Sequence, residues 1–242
     1  MTAVAAVRSV VTYVVALAYI AVVGPVGLVV ALVLRWKRGL YALGHLGVGL
    51  ALGLSGIRYR VAGRPNVPQG AVVFCSNHES NVDPPVLFRA LHPQLHILYK
   101  AELHRFPIMG AVFDVGGFVP VPRENREQAM QSIERGADSI RAGNSFLIFP
   151  EGTRSRGGEL LPFKKGGFIM AIQAQAPIVP VAVQGGRAAM RKGSAIVRPV
   201  HVSVRIGNAI PTRGLTLHDR DVLIERVRAE IGRLLAEGPV WS

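Results

Sequence analysis

Hydrophobic positions are distributed differently in the first quarter of the chain and in the remainder. Residues 9–34 read SVVTYVVALAYIAVVGPVGLVVALVL without a single charge. About 20 apolar residues in a helix cross a bilayer core of roughly 30 Å, so this stretch is long enough to span one. It is too long, and too poor in a cleavage pattern, for a signal peptide. Gly24-Pro25 near its middle predicts a kink or break, because proline lacks the N–H donor and its ring clashes with the preceding turn. A second, glycine-rich apolar stretch covers residues 39–57 and contains His45. Two layouts fit: both stretches cross a bilayer, or both dip into one leaflet as a re-entrant helical hairpin.

From residue 58 the pattern changes to short apolar runs alternating with amphipathic segments. IRYRVAG (57–63) alternates as a half-buried strand does, and AVVFCS (71–76) reads as a fully buried one. Further strands are expected at 96–100, 117–121, 145–149, 177–183 and 201–207. Pro84-Pro85 suits the first turn of a helix. Residues 124–142 form a helix by the spacing of Met130, Ile133, Ala137 and Ile140, with Gly143 as its stop. Residues 165–175 and 215–235 supply two more. Strands alternating with helices predict an α/β fold with a mostly parallel sheet flanked by helices over residues 58–242. Residues 1–57 are expected to form an apolar two-helix membrane hairpin ahead of it.

Charge sharpens this division. The 242-residue chain carries 28 Lys+Arg against 15 Asp+Glu, a formal charge of +13, which calls for an anionic partner. No acidic residue precedes Glu79, whereas Arg8, Arg35, Lys37, Arg38, Arg58, Arg60 and Arg64 flank the apolar stretches. Under the positive-inside rule this puts the remainder of the protein at the cytoplasmic face of the inner or plasma membrane. The basic run at 185–198, with Arg187, Arg191 and Lys192, is expected to face anionic headgroups. The single cysteine, Cys75, excludes an internal disulfide and a cysteine-based zinc site.

In open α/β sheets ligands bind beyond the carboxyl ends of the strands, and there the polar clusters fall. His78 and Asp83 follow strand 71–76 within SNHESNVDPP. An imidazole accepts a proton from a hydroxyl at neutral pH, and a neighbouring carboxylate fixes its tautomer. FPEGTRS (149–155) follows a second strand with Glu151, Gly152 and Arg154; Lys100 and Arg123 end two others; Lys164 and Lys165 open a helix. That many cations at strand ends mark an anion site. There is no G-x-S-x-G elbow of a serine hydrolase and no nucleic-acid-binding signature.

Together these residues resemble the glycerolipid acyltransferase family, of the lysophosphatidate acyltransferase type. Its N-H-x-x-x-x-D block appears as Asn77, His78 and Asp83, its F-P-E-G-T-R block as residues 149–154, and its apolar block around a proline as IVPVAV at Pro180. The second block departs: GFVPVPR keeps Gly117 and Arg123 but has Pro120 at the usual aromatic position and Pro122 before the arginine. The resemblance implies acyl transfer from acyl-CoA or acyl carrier protein to the free hydroxyl of a membrane-resident lysophospholipid, with no metal or cofactor. His78 is the general base, Asp83 its orienting partner, and Lys100, Arg123, Glu151, Gly152 and Arg154 form the acceptor's phosphate site. Glycerol 3-phosphate or another lysolipid is the alternative acceptor, and a membrane-anchored lipid hydrolase the alternative class. Cys75, inside a predicted strand, is expected to be an apolar filler and not a covalent acyl carrier.

Overall fold

The computed structural model describes residues 2–122, 125–155, 157–190 and 193–241. The apolar N-terminus forms α1 (Thr2–Leu32) and α2 (Lys37–Ser55). They run antiparallel: Gly27 meets Leu40, Gly47 meets Tyr19, and Ser55 Oγ lies 3.5 Å from Thr12 Oγ1. Missing Cβ atoms at these glycines permit the close approach, since a Cβ on Gly47 would sit 2.5 Å from the Tyr19 ring. Helix α1 runs through Pro25 unbroken, with Ile108 seated against Gly24 beside it. Residues 4–32 are the one described segment long and apolar enough to cross a membrane, and only 11% of that segment's most apolar window is buried. A core helix of a soluble domain would be mostly covered.

The remaining elements are β1 (Ile57–Ala62), β2 (Val73–Ser76), α3 (Asp83–Leu91), β3 (Leu95–Lys100), α4 (Pro107–Gly116), β4 (Val119–Val121), α5 (Arg126–Arg141), β5 (Ser145–Ile148), α6 (Gly166–Ala174), β6 (Ile178–Gln184), α7 (Gly186–Ala189), β7 (Val200–Ile206) and α8 (Arg220–Ala236). The strands make one seven-stranded sheet in the order β1-β7-β6-β2-β5-β3-β4. Every pairing is parallel except β6 with β7, so β1 and β7 run against the other strands.

Alternate side chains of the central strands enter two cores, as the two-residue period of a strand requires. Phe74, Leu147, Val179, Val181 and Val183 join residues of α2 and α3 on one face. Val73, Cys75, Phe146, Ile148 and Ile178 join α5, α6 and α8 on the other. β2 is covered on both faces and paired on both edges, so the loop that follows it leaves from a strand buried within the sheet. Helix α4 has no counterpart in the sequence expectation. Pro107 at its first turn and Gly117 beyond its end (φ 80°) are its sequence marks. Gly117 belongs to this helix cap, which is why β4 starts two residues later than the run at 117–121 suggests.

One buried histidine lies at the amino end of β3, away from the carboxyl ends that carry the polar clusters. His96 stacks near Tyr41, meets Phe146 edge-on and is 8% exposed. Burial, together with nearby Lys37 and His92, lowers its pKa from 6.5 to about 4. The folded state therefore binds this proton less readily than the unfolded chain. The resulting stability is fully present above pH about 6.5 and is lost as pH falls toward about 4, a loss on the order of 3 kcal/mol. Urea unfolding of detergent-solubilised wild type and His96→Gln across this range tests it: the wild type is expected to lose more stability on acidification by that amount, and parallel curves would contradict it.

Candidate active site

The loop between β2 and α3 is organised by one carboxylate. Asp83 is 0% exposed and stands in the first turn of α3, with Pro84 and Pro85 following it. Its Oδ2 lies 2.9 Å from His78 Nδ1 and accepts the Glu79 and Ser80 N–H groups, each at 2.7 Å. An ionised carboxylate only accepts hydrogen bonds, so in the neutral ring this geometry places the proton on Nδ1 and leaves Nε2 as the acceptor. The His78 ring rests on Phe149, centroids 4.3 Å apart, and remains partly open, with 16% of the side chain exposed. A partly exposed imidazole nitrogen without a proton is equipped to take one.

The loop is also fixed to both neighbouring strands. Asn77 Nδ2 donates to the Val183 carbonyl at 2.9 Å and Asn77 Oδ1 accepts the Val183 N–H at 2.8 Å, which ties the loop to β6. From beyond β5, Glu151 Oε1 accepts the His78 N–H at 2.8 Å and Oε2 accepts the Leu161 N–H at 3.0 Å. Glu151 is 3% exposed, and burial pushes its carboxyl up, partly offset by those two N–H bonds. Ser155 N–H closes the circuit on the His78 carbonyl at 2.9 Å. The N–H groups of His78, Glu79, Ser80, Gly152 and Ser155 are thus all engaged inside the fold.

The cations divide into groups. Gly152 takes φ +65°, and a Cβ there would lie 2.8 Å from Lys164 Nζ, so this lysine rests directly on the glutamate–glycine turn. Its neighbour Lys165 turns away to Asp221 of α8, 3.3 Å distant. Arg154, half-buried, immediately precedes the serine that bonds His78. Lys100 ends β3, two strands from β2, and pairs with Glu102 at 2.9 Å. Arg123 lies outside the described residues, as do Arg191 and Lys192. Arg187, of the same basic run, keeps about a third of its side chain exposed (34%) and stands 3.8 Å from Glu79. Cys75 is buried in β2, and burial raises its thiol far above the range in which a thiolate forms near neutral pH.

Two structural roles escaped the reading of the chain. The inward direction of Glu151 is invisible in a sequence, where a glutamate after a strand reads as solvent-facing. The end of β6 supplies Gly185, Gly186 and Arg187, and a glycine pair directly after a buried strand was the available signal.

A ring nitrogen stripped of its proton and backed by a buried carboxylate is the equipment of an enzyme that activates a hydroxyl. Comparison with known proteins gives that chemistry a family. Residues 58–184 match the family model described as Acyltransferase. The 1-acyl-sn-glycerol-3-phosphate acyltransferase of Limnanthes douglasii is 32% identical over 206 residues, covering 83% of this chain and 73% of that protein. The human 1-acyl-sn-glycerol-3-phosphate acyltransferase beta is 35% identical over 154 residues, 63% of this chain and 55% of that one. The crystal structure of the Thermotoga maritima 1-acyl-sn-glycerophosphate acyltransferase PlsC shares the fold, with a TM-score of 0.83 over 98% of this chain and 97% of that one at 22% identity. The chain belongs to the Acyltransferase family and is an acyltransferase.

The Glu151 clamp makes a prediction. Glu151→Gln leaves one backbone N–H facing an amide NH₂ in a buried site, which costs about 1–3 kcal/mol. Thermal unfolding is expected to show that loss. Initial rates are expected to fall by about 10–100-fold through misplacement of His78. Wild-type rates in the variant would show that the clamp does not matter.

Proposed function

We propose that the protein transfers an acyl chain from acyl-CoA or acyl carrier protein to the free hydroxyl of 1-acylglycerol 3-phosphate, giving phosphatidic acid at a membrane surface. The observation that carries this reading is the His78–Asp83 pair, together with an almost wholly apolar cavity of about 330 Å³ whose lining begins at the two prolines that follow Asp83 in the chain. Pro84, Pro85 and Phe88 of α3 are among its lining residues. Helices α1, α2 and α4 supply Tyr19, Leu43, Val112 and Phe113 to its walls. An aliphatic chain in this space, with its carbonyl near His78, meets both requirements of the reaction.

In this mechanism His78 Nε2 accepts the proton of the acceptor hydroxyl as its oxygen attacks the thioester carbonyl carbon. The C–S bond then breaks, and the imidazolium returns its proton to the leaving thiolate, so the products are an ester and a thiol. Asp83 Oδ2 holds the tautomer and stabilises the imidazolium that forms between the two steps. Base catalysis of this kind contributes about 10²–10⁴-fold. The acceptor phosphate is assigned to Arg154 and Lys164, which flank the glutamate–glycine turn, with Lys100 and Arg123 contributing from β3 and the segment after β4. Guanidinium groups suit this task because they bind phosphate bidentately. Glu151 and Gly152 shape the cradle and do not bind the anion themselves.

The membrane part of the proposal rests on the outward face of α1, where Val7, Val14, Leu17, Val22 and Val29 are exposed. Cations at Arg8, Arg35–Arg38 and Arg58–Arg64 stand at the ends of α1 and α2, which favours a hairpin seated in one leaflet with the sheet at the cytoplasmic face. Both lipids then reach the crevice without leaving the bilayer.

Two assays test this function. Purified protein given labelled acyl-CoA and a panel of lysophospholipids and glycerol 3-phosphate is expected to acylate 1-acylglycerol 3-phosphate fastest. His78→Ala should lower that rate by about 10²–10⁴-fold, while Cys75→Ser stays near wild type. Persistent turnover in His78→Ala, or transfer to water in place of the lipid, would contradict the mechanism. Gly44 borders the cavity, with Phe88 the nearest atom group at 3.7 Å from its would-be Cβ. Gly44→Leu is therefore expected to shift donor preference toward shorter acyl chains, and an unchanged chain-length profile would place the acyl chain elsewhere.

A further inference from the structure

Two glycines follow β6 that no other residue replaces without a clash. At Gly185 (φ +99°) a Cβ would lie 2.3 Å from the His201 carbonyl oxygen, and at Gly186 it would lie 2.4 Å from Asp83 Oδ1. The backbone of α7 therefore closes directly over the carboxylate that holds His78. Glu79 fastens it there. Its Oε1 accepts the Arg187 N–H at 3.2 Å, the Gly186 N–H also donates to its carboxylate, and the Arg187 guanidinium stands 3.8 Å from Oε2. That guanidinium reaches on to the α-carbon of Gly158, where a Cβ would lie 2.8 Å from Nη2. Ser80 Oγ adds a second tie, donating to the Met190 carbonyl at 3.1 Å.

Beneath this cover the Asp83 carboxylate is used asymmetrically. Oδ2 takes all its hydrogen bonds, while Oδ1 is buried without a partner. A buried polar atom left unpaired is costly, so its persistence calls for a cause. Gly186 stands directly against this oxygen, leaving no room for a Cβ between them.

We propose that Glu79 is a positioning residue for acyl transfer, which holds α7 over Asp83 so that Oδ1 is sealed and the carboxylate's hydrogen bonding falls on the oxygen facing His78. This rests on His78 and Asp83 acting as the dyad described above. With the seal in place the carboxylate neither rotates nor shares its charge with water, so the imidazolium formed during transfer receives its full stabilisation. Glu79 touches neither substrate, and its loss alters kcat while leaving KM in place.

The test compares Glu79→Ala, Glu79→Gln, Gly186→Ala and His78→Ala in one assay with acyl-CoA and 1-acylglycerol 3-phosphate. Glu79→Ala is expected to lower kcat about 10–100-fold, the range that small misplacements cost, with both KM values within about twofold. Glu79→Gln keeps an oxygen for the α7 N–H groups and is expected to recover most of that loss. Gly186→Ala leaves Glu79 intact yet drives a methyl group at Oδ1. It is expected to lower kcat similarly, and it decides the matter if Glu79→Ala does not fold. Full kcat in Glu79→Ala and Gly186→Ala, a rise confined to the acceptor KM, or a Glu79→Gln variant as impaired as Glu79→Ala would overturn the proposal. Activity surviving in His78→Ala would instead overturn the dyad itself; an inactive His78→Ala beside fully active Glu79 and Gly186 variants removes only this inference.

Discussion

The active centre is built around a charge that water does not reach. Removing a carboxylate from solvent costs several kcal/mol even after relaxation, and the cost is met only where donors surround the ion. Asp83, at 0% exposure, obtains its donors from the loop that precedes it: the Glu79 and Ser80 N–H groups and His78 Nδ1. It also stands in the first turn of α3, where the helix dipole favours negative charge. This explains the spacing of the pair. Five positions are what the chain needs to leave β2, turn back, and present two backbone N–H groups and one imidazole to a carboxylate at the helix entrance.

A loop bent in this way keeps its shape only if its surroundings hold it, and each layer of the fold contributes. β6 holds Asn77 through Val183, and Glu151, beyond β5, holds the His78 N–H. Glu151 is itself held by the Leu161 N–H, and Arg228 of α8 donates to the Leu160 and Leu161 carbonyls. A helix on the far side of the sheet is thereby linked through four hydrogen-bonded groups to the catalytic backbone. The opposite face serves the substrate, for there α1, α2, α3 and α4 enclose the apolar cavity beside Pro84 and Pro85. Rigidity on one side and an acyl-sized space on the other follow from one arrangement of layers.

Much of this was legible in the chain because buried parallel strands have a plain signature. VVFC, FLIF and IVPVAV read as continuous apolar runs, and the structure has β2, β5 and β6 there. Other features depend on partners the sequence does not name. The antiparallel pairing of β7 with β6, and the placing of β1 beyond β7, are choices of neighbour that periodicity does not encode. Helix α4 was overlooked because PIMGAVFDVG is apolar nearly all round, packed between α1, α2 and the sheet, and so lacks the polar face that reveals a surface helix. At the site, residue type misled in one direction only. Glu151 read as part of a phosphate site and Arg187 as a headgroup-facing charge, yet Glu151 holds the His78 and Leu161 N–H groups and Arg187 stands 3.8 Å from Glu79.

The central claim is that Asp83 fixes the neutral His78 ring with its proton on Nδ1, leaving Nε2 to accept a proton. Nitrogen-15 NMR of histidine-labelled protein in detergent micelles near neutral pH reads that tautomer directly, with His78 assigned by comparison with His78→Ala. The account predicts a protonated Nδ1 and an unprotonated Nε2 for residue 78. A proton resident on Nε2 of the neutral ring would contradict it, because the nitrogen needed to receive the hydroxyl proton would already be occupied.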